Sequence, residues 1–160
     1  MRILGIDPAL SISGYGLIEA KEGKLFLLEA GVITTTSKED TGKRLKKIYN
    51  CVNRLICETK PQVMVLEKIY AHYRHPATSF ILGQARGVIC LCSAINDIRL
   101  AEYAATRIKK AIVGKGLASK TQVQKMIAQI FKLERMPKYN DVTDAIALAV
   151  AHSYMTRGIK

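Results

Sequence analysis

Short apolar runs bounded by turn residues open the chain, and this pattern is typical of buried β-strands. Arg2–Asp7 is an apolar run that ends in an acid, and residues 14–20 and Lys24–Thr34 predict two further strands. Glu22 and Gly23 stand between the last two and have the composition of a hairpin turn. The chain is therefore expected to begin with three strands, the second and third joined as a hairpin.

Helical spacing replaces this pattern after residue 38. Apolar residues recur on one face of the segment 38–59 and predict a helix that ends before Pro61. The segment 62–66 contains a continuous apolar run, which predicts a strand buried on both faces, and this strand also ends in an acid, Glu67. The remaining predictions are an irregular loop at 69–76, helices at Thr78–Ile95, 104–113, 120–133 and 140–154, and a strand at Arg99–Tyr103.

Three strands followed by alternating helices and strands indicate an α/β fold, with a mixed β-sheet and helices on its faces. A chain of 160 residues fits one domain over residues 1–160, and we find no internal repeat or linker in it. The apolar segment 80–95 is interrupted by Gln84, Arg86 and Ser93 and is too short to span a bilayer. It is therefore predicted to be a buried helix, and no membrane association is expected.

Positive charge is abundant and clustered. Lys and Arg number 25 against 13 Asp and Glu, a formal net charge of +12, and such an excess attracts polyanions. The segment 99–138 contains ten basic residues and two acids, and a second basic cluster occupies residues 43–47. Both clusters suit the phosphate backbone of nucleic acid, and a solvated basic surface explains a single run about equally well. The lysines that we expect at DNA are Lys109, Lys110, Lys115 and Lys120.

The four cysteines form no CxxC pair and no zinc-binding spacing. Cys90 and Cys92 lie in an apolar run and are predicted to be small core residues. Acidic Asp7 interrupts the early apolar stretch, so the N-terminus does not resemble a signal peptide. These features predict a reduced, cytoplasmic protein.

Four acids occupy positions where a carboxylate costs free energy. Asp7 and Glu67 each follow a predicted buried strand, and Asp141 and Asp144 are three residues apart on one face of a predicted buried helix. Carboxylates packed near one another repel and lose hydration, and a divalent cation relieves both costs. Oxygen ligands in this number suit Mg²⁺ or Mn²⁺ rather than Zn²⁺.

Each acid also has an ordinary structural explanation. Asp141 and Asp144 favour the dipole at a helix start, which is the commoner role of such a pair taken alone. Asp7 suits a turn, and Glu67 suits a surface ion pair with Lys68. The metal-site hypothesis is favoured because two strand-end acids and a helix-face pair occur together in one small basic chain, and sites in sheet folds gather at strand ends.

A cluster of this kind is suited to phosphodiester hydrolysis. Two metal ions about 4 Å apart activate a water and stabilise both oxygens of a phosphoryl displacement. Lys109 and Lys120 are candidates to offset the charge of the phosphate in the transition state. Tyr70 lies near Arg74 in a basic loop, where an exposed ring can stack on a base, and packing of Tyr70 beside its own strand has equal weight. His152 is interpreted as a helix-face residue rather than a ligand.

Five segments together resemble the RuvC family of bacterial Holliday junction resolvases, in the family's order and spacing and over almost the whole chain. They are LGIDPALSISGYG at 4–16, VLEKIY at 65–70, LGQARGV at 82–88, EYAATRIKKAIVGKGLASKTQVQ at 102–124 and DVTDAIALAVAH at 141–152. The resemblance implies an RNase H-like fold, a homodimer, and paired Mg²⁺-dependent incisions across a four-way DNA junction. It also implies a complex with a branch-migration helicase.

The resemblance assigns roles to individual positions. The family's four metal-binding acids and two catalytic-site lysines fall on Asp7, Glu67, Asp141, Asp144, Lys109 and Lys120. Its junction-wedging aromatic falls on Tyr70, and its dimer helix falls on the segment 83–87. This chain departs from the family at Ala9, where Gly is usual, and at Lys68, where Gln is usual. Neither departure removes a ligand, so activity is expected to differ only in degree.

Three other functions share some of these features. An actin-like or sugar-kinase ATPase also begins with a strand, a GID turn and a hairpin, but it needs two lobes, which 160 residues hardly provide. A non-catalytic junction-binding protein would need the basic surface without the four acids. A ribonuclease H would cut the RNA of RNA–DNA hybrids and work as a monomer. Metal-dependent cleavage of a four-way junction is the observation that separates these functions.

Overall fold

The computed structural model describes residues 1–69 and 76–156, with the backbone alone for residues 76 and 77. Its strands are β1 (Arg2–Asp7), β2 (Ile12–Lys21), β3 (Lys24–Thr34), β4 (Val63–Glu67) and β5 (Arg99–Tyr103). Its helices are α1 (Thr41–Thr59), α2 (Pro76–Ile95), α3 (Ala105–Val113), α4 (Lys120–Phe131) and α5 (Asn140–Thr156). The predicted strands and helices are confirmed, with small shifts of their ends, and most of the predicted loop at 69–76 lies outside the described residues.

The five strands form one mixed sheet in the order β3-β2-β1-β4-β5. β1 runs antiparallel to β2 and parallel to β4, and β4 runs parallel to β5. Because β1 and β4 are parallel neighbours, their carboxyl ends reach the same edge of the sheet. The acids that end these two strands, Asp7 and Glu67, are therefore brought to one edge.

Helices cover both faces of the sheet, which confirms the predicted α/β architecture. Successive residues of a strand point to opposite faces, so Ile3 and Leu4 of β1 belong to two different cores. Ile3 packs with buried residues of α3, α4 and α5, among them Ile127 and Ile146. Leu4 packs with buried residues of α1 and α2, among them Ile48. The sheet is thus held from both sides, and its edge is a rigid support for the side chains at the strand ends.

Helix α5 lies closer to the sheet than larger side chains would allow. Gly5, Gly14 and Gly16 lie beneath it, and a Cβ atom at any of the three would overlap atoms of α5. On Gly14 it would meet the backbone oxygen of Asp141, and on Gly5 that of Ala145. Glycine at these positions therefore lets the first turns of α5 lie directly against β1 and β2.

The predicted turn between β2 and β3 is confirmed. Glu22 and Gly23 both have left-handed backbone conformations, with φ of 50° and 77°, as a two-residue hairpin turn requires. Helix α1 begins at Thr41 rather than at residue 38. The reason is a cap, since the Asp40 carboxylate accepts a hydrogen bond from the backbone N–H of Lys43 at 2.9 Å.

The prediction that α2 is a buried helix is wrong. Ala85, Ile89 and Cys92 are buried against α1 and the sheet, and Cys90 is half-buried. The other side, named here the exposed α2 face, carries Phe80, Ile81, Leu91 and Ile95. An apolar sequence predicts that a helix is covered without telling whether its own chain or a partner covers it. Among the described residues, Thr78–Ile95 reaches the length and hydropathy of a membrane-spanning helix, a test that the core helices of soluble proteins also pass, and its Ala85, Ile89 and Cys92 pack in the core with α1 and the sheet.

Candidate active site

Asp7 and Glu67 stand at the carboxyl ends of neighbouring strands. Asp7 closes β1 and lies opposite Gly14 in the antiparallel pairing with β2. Glu67 closes β4 and lies beside Tyr103, the last residue of β5. The strand residues that precede both acids are buried, so the sheet fixes where the two carboxylates emerge.

The two helix acids reach the same edge because of the position of α5. Asp141 lies in the first turn of α5, with its backbone oxygen over Gly14, and Gly14 is the cross-strand partner of Asp7. Asp144 follows on the same face of the helix and lines a cavity together with Asp7 and Glu67. Three of the four predicted acids thus share the cavity, and Asp141, which does not line it, lies close enough to Asp7 to repel its carboxylate.

The electrostatics of the carboxylates reflect this convergence. Burial raises the pKa of Asp7 from its ordinary value of 3.8 to about 7, and repulsion by Asp144 and Asp141 adds to the rise. Burial, followed by repulsion from Asp144, also raises the pKa of Glu67. The positive charge of Lys120 opposes the rise in both pKa values. In the metal-free protein the Asp7 carboxyl therefore holds its proton more readily than a solvated carboxyl, and a divalent cation beside it would favour the ionised form.

Two lysines face these acids from separate helices. Ser119 caps α4 in a capping box, which fixes Lys120 as the first residue of that helix. Lys120 Nζ donates a hydrogen bond to Asp144 Oδ2 at 2.8 Å, and this bond raises the pKa of Lys120. Lys109 of α3 lines the same cavity. Both lysines predicted for the site are therefore brought to it, although α3 and α4 are separated by a loop in the chain.

Acids and cations share one open cavity of about 450 Å³. Its charged lining consists of Asp7, Glu67, Lys68, Arg86, Lys109, Lys120 and Asp144. Its apolar wall includes Ile69, Leu82, Ile108, Val123, Ala147 and Leu148. A cavity with a few convergent charged groups on an apolar wall is typical of a binding or catalytic site.

The carboxylate oxygens are chemically suited to a hard divalent cation, although they do not form a closed coordination site. Within residues 1–69 and 76–156, no group of three or more Asp, Glu, His or Cys side chains is arranged to hold a metal ion. Asp144 accepts its hydrogen bond from Lys120 instead. Carboxylate oxygens are the ligands that Mg²⁺ and Mn²⁺ prefer, and the raised pKa of Asp7 reflects crowded negative charge that a cation would relieve. The residues present therefore fit such an ion.

Arg86 belongs to the site, although the sequence marks it only as a polar interruption of an apolar run. Its Nη1 donates a hydrogen bond to the backbone oxygen of Glu67 at 2.7 Å, and its Nη2 forms an ion pair with Glu102. A charge within an apolar helix requires partners if it is not exposed to water. That requirement is the signal in the sequence that points to Arg86.

The remaining residues predicted to bind DNA do not line the cavity or lie outside the described residues. Tyr70 and Arg74 fall within residues 70–75, so their DNA contacts stay predictions. Lys110 and Lys115 are exposed and are absent from the cavity lining. Their contacts with DNA therefore stay predictions as well.

His152 is a core residue of α5 and is absent from the lining of the cavity that Asp7, Glu67 and Asp144 share. Its side chain is buried, and its Nδ1 lies 2.8 Å from the hydroxyl oxygen of Tyr103. Burial lowers the pKa of His152, which favours the neutral ring. This arrangement agrees with the interpretation of His152 as a helix-face residue rather than a ligand.

Comparison with known proteins identifies the family. The family "Crossover junction endodeoxyribonuclease RuvC" matches residues 3–152 of this chain. The chain belongs to the RuvC family. RuvC of Natranaerobius thermophilus is 41% identical over 157 residues, which cover 98% of this chain and 97% of that protein. RuvC of Moorella thermoacetica is 41% identical over 153 residues, which cover 96% of this chain and 91% of that protein.

The fold agrees with this assignment. Thermus thermophilus RuvC, solved in complex with a Holliday junction substrate, superposes with a TM-score of 0.93 at 26% sequence identity. The match covers 99% of this chain and 96% of that RuvC chain. It confirms the predicted fold class, an RNase H-like mixed sheet flanked by helices on both faces.

Proposed function

We propose that this protein is an endonuclease that resolves four-way DNA junctions by paired, symmetric, metal-dependent hydrolysis of phosphodiester bonds in DNA recombination and repair. The observation that carries the proposal is the convergence of four acids and two lysines at one edge of the sheet. This convergence occurs in a member of the RuvC family whose Thermus relative is described with a Holliday junction substrate. The crossover junction endodeoxyribonuclease activity named for its relatives is the activity that this site suits.

The proposed cofactor is Mg²⁺, with Mn²⁺ as a substitute and two ions in each active site. The residues that would hold it are Asp7, Glu67, Asp141 and Asp144. When bound, such ions supply an activated water and stabilise the attacking and leaving oxygens of a phosphate displacement. The proposal is supported by the oxygen donor set and by the rise in the pKa of Asp7 to about 7 through burial and the repulsion of neighbouring acids.

Lys109 and Lys120 would stabilise the phosphate that is being cleaved. Positive groups held where negative charge develops lower the free energy of a transition state without reorganising during the reaction. Lys120 is bonded to Asp144, yet its side chain is 73% exposed, so its ammonium is accessible to a phosphate that enters the cavity. Lys68, which also lines the cavity, adds a positive charge where the family usually has an uncharged glutamine.

The basic surface would hold the arms of the junction. The segment 99–138 contributes exposed lysines such as Lys110 and Lys115, and the chain as a whole carries a net charge of +12. Neutralising each phosphate releases condensed counterions, so affinity is expected to fall steeply as salt rises. Tyr70 and Arg74, which lie outside the described residues, are proposed to contact a base and a phosphate at the crossover.

The exposed α2 face supports a homodimer. Phe80 is 76% exposed, and Leu91 and Ile95 are each 53% exposed. A Cβ atom on Gly83 or Gly87 would meet nothing within 4 Å, so this side of the helix is open to another backbone. A two-fold axis makes one such face self-complementary, and the pair would present one active site to each of two junction strands. A cytoplasmic location and a complex with a branch-migration helicase are proposed from the family resemblance.

Cleavage of a synthetic four-way junction tests the proposal. The full chain is expected to make paired nicks at symmetry-related positions in Mg²⁺ and none in EDTA. Asp7→Asn should bind the junction with similar affinity and cut it slower by several orders of magnitude, while Glu22→Gln, at the remote hairpin tip, should cut at the wild-type rate. Junction binding without cleavage would instead identify a non-catalytic binding protein. Preferential cleavage of an RNA–DNA hybrid would identify a ribonuclease H.

A further inference from the structure

Arg86 connects helix α2 to the carboxyl ends of two adjacent strands. Its Nη1 donates to the backbone oxygen of Glu67 on β4 at 2.7 Å, and its Nη2 pairs with the carboxylate of Glu102 on β5. Glu102 is the registered neighbour of Leu66, the residue before Glu67. One guanidinium group therefore joins the helix to both strands at the level of the acidic site.

The chemistry of the guanidinium group suits this arrangement. It is planar and carries five N–H donors in a fixed geometry, so it can serve a carbonyl and a carboxylate at the same time. A lysine ammonium is a point charge on a flexible chain and does not reproduce that geometry. The Arg86 side chain is only 13% exposed, whereas the Lys120 side chain is 73% exposed. Because its guanidinium already has two partners and is largely buried, Arg86 is a poor candidate for binding a DNA phosphate.

We propose that Arg86 is a positioning residue, through which α2 holds the backbone of Glu67 and so directs the Glu67 carboxylate into the cavity. The same peptide region is held from β5, because the Lys68 N–H donates to the Tyr103 oxygen at 2.8 Å. Losing the Arg86 bond would leave that β5 bond to hold the strand end. Displacing a reacting group by about 1 Å can cost about 10²-fold in rate. The effect on catalysis rests on the proposed nuclease function, and the effect on the strand end does not.

The first experiment needs neither metal nor DNA. Amide hydrogen exchange at Lys68 is measured by NMR in the full chain and in Arg86→Gln, Arg86→Lys and the matched control Arg54→Lys, which lies exposed on α1. We expect exchange at Lys68 to be about tenfold faster in Arg86→Gln, intermediate in Arg86→Lys and unchanged in Arg54→Lys. Equal exchange in folded Arg86→Gln and wild type would overturn the proposal.

The second experiment separates rate from affinity. Single-turnover cleavage of the junction in Mg²⁺ is compared with the junction Kd measured without divalent metal. We expect Arg86→Gln to cut about 10²-fold more slowly while its Kd stays within about threefold of wild type. A Kd that weakens as much as the rate would assign Arg86 to DNA binding and refute the positioning role.

Glu102→Gln keeps the proposal testable if Arg86→Gln does not fold, as judged by circular dichroism. We expect this milder variant to cut about threefold to tenfold more slowly, and to cause a smaller loss in an Arg86→Lys background, because the guanidinium that Glu102 holds is absent there. Additive losses would refute the coupling. If wild type itself does not cut junctions, the proposed function fails, and exchange at Lys68 still decides whether Arg86 positions the strand end.

Discussion

Gly14 of β2 lies directly beneath the backbone oxygen of Asp141 in α5, so closely that a Cβ atom at position 14 would overlap that oxygen. Gly14 is also the cross-strand partner of Asp7. This one close approach therefore places the first acid of α5 beside the acid that ends β1. The acidic site therefore depends on Gly14 having no side chain, although Gly14 itself has no catalytic group.

Gly14→Ala is expected to destabilise the protein and to impair the site. The added methyl group must push α5 away from the sheet, and overpacking against backbone costs about 3 kcal/mol. Urea unfolding should show a loss of that order, and junction cleavage should fall more than junction binding. Gly42→Ala on α1 is the matched control, because a Cβ there meets only the Asp40 side chain, at 3.2 Å, and its stability should change by less than about 1 kcal/mol. Equal stability of Gly14→Ala and wild type would contradict the close contact.

The stability of the metal-free protein should depend on pH through Asp7. Its pKa is raised from 3.8 to about 7 in the folded state, so folding binds a proton between these two pH values. Its contribution to stability is therefore complete below about pH 4 and is lost as pH rises through about 7. Asp7→Asn removes the ionisation, and in EDTA at pH 8 it should be more stable than wild type by on the order of 1–4 kcal/mol.

Urea unfolding at pH 4, 6 and 8 measures this difference. Wild type and Asp7→Asn should be about equally stable at pH 4 and diverge as pH rises. Added Mg²⁺ should stabilise wild type at pH 8 more than the variant, because a cation that binds the folded state alone raises its stability. If the free energy of unfolding of the two proteins changed with pH in parallel, the pKa of Asp7 would not be raised by burial and neighbouring acids.

Gly87→Glu should break the proposed dimer without unfolding the chain. The position faces open space within the chain, so the larger side chain has room, but it places a charge on the exposed α2 face. Sedimentation should show a monomer, and cleavage should give single, unpaired nicks. Asn50→Glu, at an exposed position on α1, is the control and should remain dimeric. A monomeric variant that still makes paired symmetric nicks would refute the dimer mechanism.

Tyr70 is predicted to assist the opening of the crossover. Base stacking on an aromatic ring is worth about 1–3 kcal/mol, and opening a base step costs a similar few kcal/mol, so the net gain in affinity is small. Tyr70→Ala should therefore lower the cleavage rate strongly and binding weakly, while Tyr70→Phe should stay active. A base-analogue fluorophore at the crossover measures opening, and identical signals and rates for Tyr70→Ala and wild type would return this residue to a packing role.

Periodicity predicted the order and type of the secondary structure elements because it records which residues face away from water. The runs that end at Asp7 and Glu67 predicted two buried strands that end in acids, and the structure adds that these strands are parallel neighbours, so that both acids reach one edge. Glu22 and Gly23 predicted the hairpin, since the left-handed conformation there is a local property. The start of α4 at Lys120 was predicted as well, and the Ser119 cap that determines it is equally local.

Other features depend on residues far apart in the chain. The later start of α1 is an exception, because a local cap, Asp40, rather than apolar spacing determines where that helix begins. The exposed α2 face was predicted to be buried, because hydrophobicity does not reveal whether the covering surface belongs to the same chain. The sequence marks Arg86 only as an interruption of an apolar segment, because its partners, Glu67 and Glu102, lie on other elements.

The sequence by itself determined the elements, the basic character and the identity of the four acids, because these follow from local composition and spacing. Only the tertiary structure decided that Asp141 stands beside Asp7, that Lys120 bonds Asp144, and which side of α2 is left uncovered. The physical reason is that close approach between α5 and the sheet requires small residues on β1 and β2. Whether a glycine serves such a contact is defined by the atoms packed against it and not by its own chemistry.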